Sequence, residues 1–264
     1  MSGVSWRQVH GAFACATALL LAASAAPSCA STASHASAPL VPGDGLDPVT
    51  EERDRILSLL AYSVVFQDWQ ESGDGARGYN IGAVLVSPAG EPVAWSLNCN
   101  NLLQDGTQHA ETRLIQHWLR DARSYNLEGF EIFTTLEPCA QCSGMMAMQK
   151  IRRAVYGQTD DRYGKAIERL ALDSRAVGGF EPYPRFPTSE RARLELTERI
   201  DASASRSGQS ITDWLYSASA RELFEAADRE LETFDPVHAE NRLLLERALE
   251  LRTAVPASAA LPMS

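Results

Sequence analysis

Two short motifs in the middle of the sequence place metal-binding side chains at the starts of two predicted helices. A His-Ala-Glu triplet begins at His109, and a Pro-Cys-Ala-Gln-Cys segment carries Cys139 and Cys142. Cysteines three residues apart on a helix project from one face, so both sulfurs can reach one point. Histidine and cysteine are the usual protein ligands of zinc, and three such ligands leave a fourth position open. We therefore predict a Zn²⁺ site formed by His109, Cys139 and Cys142.

Glu111 follows the predicted histidine ligand by two residues, which places a carboxylate beside the metal without making it a ligand. Such a carboxylate can take a proton from water, give it to a ring nitrogen and later protonate a leaving amine. Both motifs stand at predicted helix N-termini, where the backbone dipole favours thiolate over thiol. The pattern predicts Glu111 as the catalytic acid and base of a hydrolytic site.

Three other interpretations of these motifs stay open at the level of the sequence. Cys139 and Cys142 could form a redox pair, which would leave His109 and Glu111 without a role. A structural zinc site would need a fourth ligand, and the remaining histidines are poorly placed to supply it. The region could also be a catalytically idle zinc-binding interaction module. The triplet recurs at 238–240 with no cysteine after it, and we interpret that copy as an exposed helix face.

Predicted strands alternate with predicted helices, which indicates an α/β fold with a sheet between helical layers. Helical periodicity covers 48–69, 109–122, 138–150 and 164–174, and strand patterns cover 80–86, 92–98, 131–136 and 153–157. A boundary rich in proline and glycine follows at 178–187. Beyond it, residues 188–252 are interpreted as two or three amphipathic helices.

The first residues have the layout of an export signal. Arg7 precedes an uncharged run rich in alanine and leucine over 11–26, which is too short for a comfortable membrane span. Cleavage after Ala25 or Ala38 fits the small residues there, and Cys29 resembles a bacterial lipoprotein attachment site. We therefore expect an exported bacterial protein that is periplasmic, anchored as a lipoprotein or secreted. Membrane contact is expected only through this leader or a lipid.

The charge balance argues against a long nucleic-acid partner. The chain has 34 acidic and 24 basic residues, a net charge of −10, and no basic patch or tail along its length. Nucleic-acid binding normally depends on such a patch, because phosphate contacts supply much of the affinity. A small substrate is therefore favoured, and nucleic acid stays possible only if the fold assembles a local basic groove.

With these residues in hand, the core resembles the cytidine deaminase-like superfamily, and within it the tRNA-adenosine deaminases. The matching stretches are 81–86, 109–111, 134–144 and 151–160. They contain the His-x-Glu and Pro-Cys-x-x-Cys elements found in zinc deaminases. The resemblance implies a three-layer α/β/α core with five strands, of which the patterns above place four. It also implies a homodimer.

The resemblance further implies substrate contacts from Asn98, at the end of the second strand, and from the backbone of Ala110. Asn100 competes with Asn98 for that position, and an asparagine that only turns its own backbone is the alternative. The chain differs from the tRNA-editing pattern in its leader, in Ala140-Gln141 between the cysteines, in its long C-terminal region and in a stretch after Asp160 that is not basic.

These observations predict a leader over 1–38, a zinc deaminase domain over 47–177 and a C-terminal helical extension over 188–253. The expected activity is zinc-dependent hydrolytic deamination of an amino-purine or amino-pyrimidine base, nucleoside or nucleotide, with an adenine-type substrate favoured. The alternatives are the idle zinc-binding module and a deaminase effector that acts on single-stranded nucleic acid.

Overall fold

The computed structural model of the chain describes residues 46–73 and 75–255. The predicted leader over 1–38, with Cys29, lies outside the described residues. Within the described part, no helix is both long enough and apolar enough to cross a membrane.

A mixed β-sheet forms the centre of the described structure. Its strands are β1 (Gly82–Val86), β2 (Pro92–Leu97), β3 (Glu131–Leu136), β4 (Arg153–Gln158) and β5 (Thr188–Arg191). They lie in the order β2-β1-β3-β4-β5; β1 is antiparallel to β2 and β3, whereas β3, β4 and β5 are parallel. Val84 pairs with Phe133, which pairs with Val155, and all three are buried. Burial of whole strands indicates a sheet that is covered on both faces.

Eight α-helices surround this sheet in the part of the chain that the structure describes. They are α1 (Pro48–Gln67), α2 (Ala110–Asp121), α3 (Ala140–Met148), α4 (Ala166–Leu170), α5 (Glu195–Ser207), α6 (Ile211–Trp214), α7 (Ala218–Glu232) and α8 (Arg242–Thr253). α1 packs across β1 to β4 on one face, and α2 packs with α3 on the other. The predicted three-layer α/β/α core is therefore confirmed.

The helices that follow the core cover the outer side of α1. The ring of Phe224 on α7 meets Tyr62 edge-on at 4.9 Å and Trp69 at 5.5 Å. α1 is consequently enclosed by the sheet on one side and α7 on the other, and its residues from Ile56 to Val65 are all buried. A helix that is apolar all round needs such cover, which explains the weak helical amphipathicity of this segment.

The structure corrects the prediction for residues 188–252 at its start and in its number of helices. Thr188–Arg191, expected as the start of the helical extension, forms β5 and pairs with Arg153 to Tyr156 of β4. This four-residue edge strand lacks an apolar alternation, so only its partner strand reveals it. Four helices follow, where two or three were expected. A domain boundary at 188 would therefore separate β5 from the other four strands of its sheet. The rest of the domain division stays a prediction.

Candidate metal centre and active site

The two sequence motifs meet at the N-termini of α2 and α3. His109 immediately precedes α2, Cys139 immediately precedes α3, and Cys142 lies in the first turn of α3. α2 and α3 pack against each other on one face of the sheet, so their first turns converge. The segment around Cys139 follows β3 directly, which places the cysteines at the C-terminal end of the central strand.

The predicted ligand atoms form one compact cluster. Cys139 Sγ lies 3.5 Å and Cys142 Sγ 3.6 Å from His109 Nδ1, and the two sulfurs are 3.8 Å apart. Tetrahedral zinc, with bonds of about 2.3 Å to sulfur and about 2.0–2.1 Å to nitrogen, separates two sulfurs by about 3.8 Å and sulfur from nitrogen by about 3.5 Å. Both the donor types and their spacing therefore fit zinc.

The electrostatics of the two thiols favour a bound cation. The hydrogen bond between Cys139 and Cys142, followed by the one between Cys139 and His109, lowers the pKa of Cys139 to about 4. The hydrogen bond with Cys139, together with burial, raises the pKa of Cys142. One proton is thus lost easily and the second is retained, as expected for two neighbouring groups that acquire the same charge. A divalent cation bound to both sulfurs favours both thiolates.

His109 faces both sulfurs through Nδ1. Its hydrogen bond with Cys139 raises its pKa, although burial acts in the opposite direction. Among the described residues, the group of possible ligand atoms within 4.8 Å of one another consists of His109, Cys139 and Cys142. A set of three is the pattern of a catalytic site, because a structural site has four protein ligands.

Glu111 lies beside this cluster and is almost completely buried, with 4% of its surface exposed. Its Oε2 is 3.4 Å from Cys142 Sγ. Burial raises the pKa of this carboxyl, and the negative charge of Cys139 acts in the same direction. The pKa shift brings the carboxyl closer to the range in which one group can both accept and donate a proton near neutral pH.

The side chains of Thr112 and Gln141, to which the sequence assigned no role, support the metal ligands. Thr112 Oγ1 lies 3.6 Å from Cys142 Sγ. Gln141 Nε2 donates to Thr112 Oγ1 at 3.0 Å and to the carbonyl of Thr107 at 2.7 Å. Hydrogen bonds from neighbouring side chains orient metal ligands and keep them in place. No motif marks them, because they link residues about thirty positions apart in the chain.

A cavity of about 570 Å³ opens onto the cluster. Of the predicted site residues, it is lined by Asn98, His109, Glu111 and Cys139. The other lining residues are Tyr79, Ile81, Leu136, Glu137, Ala140, Gln141, Asp160, Arg162, Tyr163, Ile211 and Thr212. Ala110 is fully buried and is not among them. Its predicted backbone contact with the substrate stays a prediction.

Asn98 lines the cavity and Asn100 does not, and the substrate contact of Asn98 stays a prediction. Asn98 is buried, its Oδ1 accepts from the backbone N–H of Asn100 at 3.3 Å, and its carbonyl accepts from Arg77. A Cβ at Gly78 would lie only 2.2 Å from Asn98 Oδ1. The side chain of Asn98 therefore depends on a neighbour that has no side chain of its own.

Sequence reasoning missed the contribution of the C-terminal region to this cavity. Ile211 and Thr212 of α6 line it, although they follow Cys142 by about seventy residues. The second His-Ala-Glu triplet does not line the cavity. Ala239–Asn241 forms a 3-10 turn in which Ala239 and Glu240 are exposed, and Glu52 accepts from the backbone N–H of His238.

A family model described as "Cytidine and deoxycytidylate deaminase zinc-binding region" matches residues 61–158, which include all the residues of the cluster. The tRNA-specific adenosine deaminase of Agrobacterium fabrum is 39% identical over 116 residues, covering 43% of this chain and 76% of that protein. A probable cytosine deaminase of Schizosaccharomyces pombe is 32% identical over 144 residues, covering 51% of this chain and 83% of that protein. Other bacterial tRNA-specific adenosine deaminases are matched over 52% to 76% of their length.

Solved structures of deaminases are similar to parts of the chain. A tRNA:A34 deaminase is 29% identical, with a TM-score of 0.35. The match spans 42% of this chain and 82% of the deaminase chain. A guanine deaminase from Nitrosomonas europaea is 16% identical, with a TM-score of 0.37. The match spans 70% of this chain and 94% of the guanine deaminase chain. From its family match and its relatives, the chain belongs to the cytidine and deoxycytidylate deaminase family and is a zinc-dependent deaminase that hydrolyses a C–N bond of a nucleobase or nucleoside.

Proposed function

We propose that this chain deaminates an adenine-type base in a small substrate, with His109, Cys139 and Cys142 as zinc ligands and Glu111 as the proton carrier. The observation that carries the proposal is the position of Glu111: its carboxylate lies 3.4 Å from a ligand sulfur and lines the same cavity as His109 and Cys139. A buried carboxyl beside the three zinc ligands suits hydrolysis, and neither a redox pair nor an idle scaffold requires it.

Bound Zn²⁺ supplies a Lewis acid that brings the pKa of a coordinated water to about 7. Glu111 accepts the proton of the attacking water at its carboxylate and transfers it to the ring nitrogen next to the amine-bearing carbon. The C–O bond forms at that carbon. Glu111 then takes the remaining proton from the new hydroxyl group and gives it to the amine as the C–N bond breaks. Water and the amino-substituted ring thus become the oxo-substituted ring and ammonia.

Asn98 and Ala110 hold the base in this scheme. The Asn98 amide lines the cavity and offers both a donor and an acceptor to a base edge. Ala110 is the first residue of α2, where backbone N–H groups lack partners within the helix. A base oriented by these groups presents its amine-bearing carbon to the zinc site, which is the positioning that hydrolysis needs.

An adenine-type base is favoured by the names of the relatives. Several are tRNA-specific adenosine deaminases, and one is a probable cytosine deaminase. A small substrate is favoured over a polynucleotide by the net charge of −10 and by the C-terminal residues Ile211 and Thr212 at the cavity. A continuous strand would reach the metal ligands only with its target nucleotide extruded from the strand.

Ammonia release by the purified, zinc-loaded chain tests the proposal. The panel comprises adenine, guanine and cytosine as bases, nucleosides and nucleotides, together with single-stranded DNA and RNA. We expect turnover of an adenine-type monomer and a loss of about 10²–10⁴-fold in kcat for Glu111→Gln at unchanged zinc content. Equal rates for the two chains would overturn the role of Glu111. Turnover of polymers alone would favour the nucleic-acid effector.

We also propose export of the chain, supported by the apolar run over 11–26 and the small residues after it. The compartment is the periplasm, the membrane through a lipid on Cys29, or the exterior. The mass of the mature N-terminus after fractionation distinguishes these destinations. An intact Met1 on protein recovered from the cytoplasm would contradict export.

The homodimer implied by the family resemblance stays part of this proposal. Sedimentation of the zinc-loaded chain tests it, and a monomer at micromolar concentration would contradict it.

A further inference from the structure

We refer to the cavity of about 570 Å³ at the metal ligands as the zinc cavity, and a second cavity of about 500 Å³ adjoins it. The two cavities share the lining residues Asp160, Arg162, Tyr163, Ile211 and Thr212. We refer to the second cavity as the outer chamber; its remaining lining residues are Gln158, Thr159, Asp161, Asp201, Ala204, Ser205, Gln209 and Ser210. A ligand whose base lies in the zinc cavity would therefore meet the outer chamber at this shared edge.

One wall of the outer chamber is the loop after β4, which hydrogen bonds hold in place. The Glu137 carboxylate accepts from the backbone N–H of Asp160 at 3.0 Å and of Lys165 at 2.8 Å. The Asp160 carboxylate accepts from the N–H groups of Arg162 and Tyr163, each at 2.9 Å. This wall is thus built before any ligand arrives, which lowers the entropy cost of binding.

The opposite wall comes from α5 and α6, and it is anchored to the core. Trp214 of α6 is fully buried, and Ser210 Oγ accepts from the backbone N–H of Asp213 at 3.2 Å. The carbonyl of Leu215 accepts from Asn80 Nδ2 at 3.0 Å. Asn80 lies between Tyr79 and Ile81, which line the zinc cavity, so the C-terminal wall is tied to the segment that borders that cavity.

The polar groups of the outer chamber suit a ligand with several hydroxyl groups. Side-chain hydroxyls and an amide are supplied by Thr159, Ser205, Gln209, Ser210 and Thr212. Each of these side chains can donate a hydrogen bond to a sugar hydroxyl and accept one from it.

The charges of the outer chamber disfavour a phosphate. Its charged lining residues are Asp160, Asp161, Asp201 and Arg162. Asp201 is paired with Arg191 at 2.7 Å, so the acidic groups outnumber the basic ones three to two even when Arg191 is counted. Arg162 also lies over the ring of Tyr163 at 5.1 Å. An anionic group placed among excess carboxylates is repelled, whereas a neutral sugar is not.

We propose that the outer chamber binds the sugar of a nucleoside whose base lies in the zinc cavity, so that this enzyme prefers a nucleoside to both the free base and the 5′-nucleotide. The inference rests on the proposed function, because it assumes that the zinc cavity takes the base. It assigns the long C-terminal region a role in substrate choice through Ser205, Ile211 and Thr212.

Matched substrates test the preference with the full zinc-loaded chain. Adenine, adenosine and adenosine 5′-monophosphate form one series, and the cytosine compounds form the second. In the active series we expect kcat/KM for the nucleoside to exceed that for the base and that for the nucleotide by at least about tenfold. A base or nucleotide that matches the nucleoside would overturn the proposal.

A substitution that fills the outer chamber separates it from the zinc cavity. Ser205→Trp is expected to raise KM for the nucleoside about tenfold and to leave kcat/KM for the free base unchanged. Ala202→Trp is the control, because Ala202 is exposed on the same helix and does not line the chamber. Equal losses for base and nucleoside in Ser205→Trp, at unchanged zinc content and melting temperature, would contradict the proposal.

Failure of the proposed function is recognised separately, as silence of the wild-type chain toward every compound. Calorimetric binding of adenosine, adenine and adenosine 5′-monophosphate to the zinc-loaded chain then decides the inference. Tighter binding of the nucleoside, weakened in Ser205→Trp only, supports the outer chamber; equal or absent binding overturns it.

Discussion

At the scale of single residues, the position of Asn98 depends on the absence of a side chain at Gly78. The Asn98 side chain lines the zinc cavity, and its Oδ1 would lie 2.2 Å from a Cβ at Gly78. Arg77, the residue before that glycine, donates to the carbonyl of Asn98 and to Asp68. One short segment thus sets both the backbone and the side chain of the predicted substrate contact.

Gly78→Ala is therefore expected to displace the Asn98 amide and lower kcat/KM by about 10- to 100-fold, with the larger part in KM. Zinc content should not change, because the atoms nearest to the added Cβ belong to Asn98 and Asn100 and not to the three ligands. Steady-state kinetics and metal analysis check this outcome. Gly75→Ala is the control, since a Cβ there meets nothing within 4 Å. Wild-type kinetics for Gly78→Ala would show that Asn98 does not position the substrate.

At the scale of helices, an ion pair locks α7 and α8 onto α1. Arg252 of α8 donates to both carboxylate oxygens of Asp228 at 2.6 Å, and Ser63 of α1 also bonds to Asp228. Asp228 is 4% exposed. Burial raises its pKa, but the hydrogen bonds from Arg252 and Ser63 outweigh burial, so its pKa lies below the ordinary value of 3.8.

Asp228→Asn is expected to lower the free energy of unfolding at pH 7 by about 3 kcal/mol, because it removes the buried anion to which Arg252 and Ser63 bond. Arg252 then keeps only its pair with Glu232, whose side chain is 47% exposed. A carboxyl with a lowered pKa in the folded state contributes stability above its unfolded pKa. That contribution is lost as pH falls through the folded pKa, so the difference between variant and wild type should shrink below about pH 4.

Urea unfolding at pH 7 and at pH 3 measures this difference. Glu230→Gln is the control, because Glu230 pairs with Arg55 at the surface and an exposed pair contributes about 0–1 kcal/mol. A difference between Asp228→Asn and wild type that stays constant across this pH range would contradict the role of the Asp228 charge.

At the scale of the whole molecule, the C-terminal helices are part of the fold and not an appendage. Phe224 and Leu231 of α7 and Trp214 of α6 are fully buried against the core. Each large apolar side chain that is fully buried contributes about 1.5–3 kcal/mol. Together with the rest of α7, this burial is comparable to a typical stability of about 5–15 kcal/mol.

A chain that ends at Phe186 is therefore expected to lose cooperative unfolding, because it lacks β5 and exposes the outer face of α1. Circular dichroism during heating, together with zinc content, tests the expectation. A chain that ends at Val255 is the control, since it keeps every helix from α5 to α8. A sharp thermal transition in the shorter chain would show that the deaminase core folds alone.

The sequence by itself determined the chemistry of the metal centre and most of the sheet. His109, Cys139 and Cys142 could be identified because zinc ligation restricts residue type, and because helix geometry brings cysteines three apart to one point. β1 to β4 were found at nearly their observed positions, since buried strands carry long apolar runs. These are local signals, and a single sequence contains them in full.

Only the tertiary structure decided what surrounds that chemistry. β5 is a strand because β4 offers it hydrogen-bond partners, and Thr112 supports Cys142 because α2 packs against α3. Ile211 and Thr212 reach the zinc cavity because buried Trp214 holds α6 in place. Each of these depends on contacts between distant segments, whose energy comes from shared burial and leaves no periodic trace in either segment.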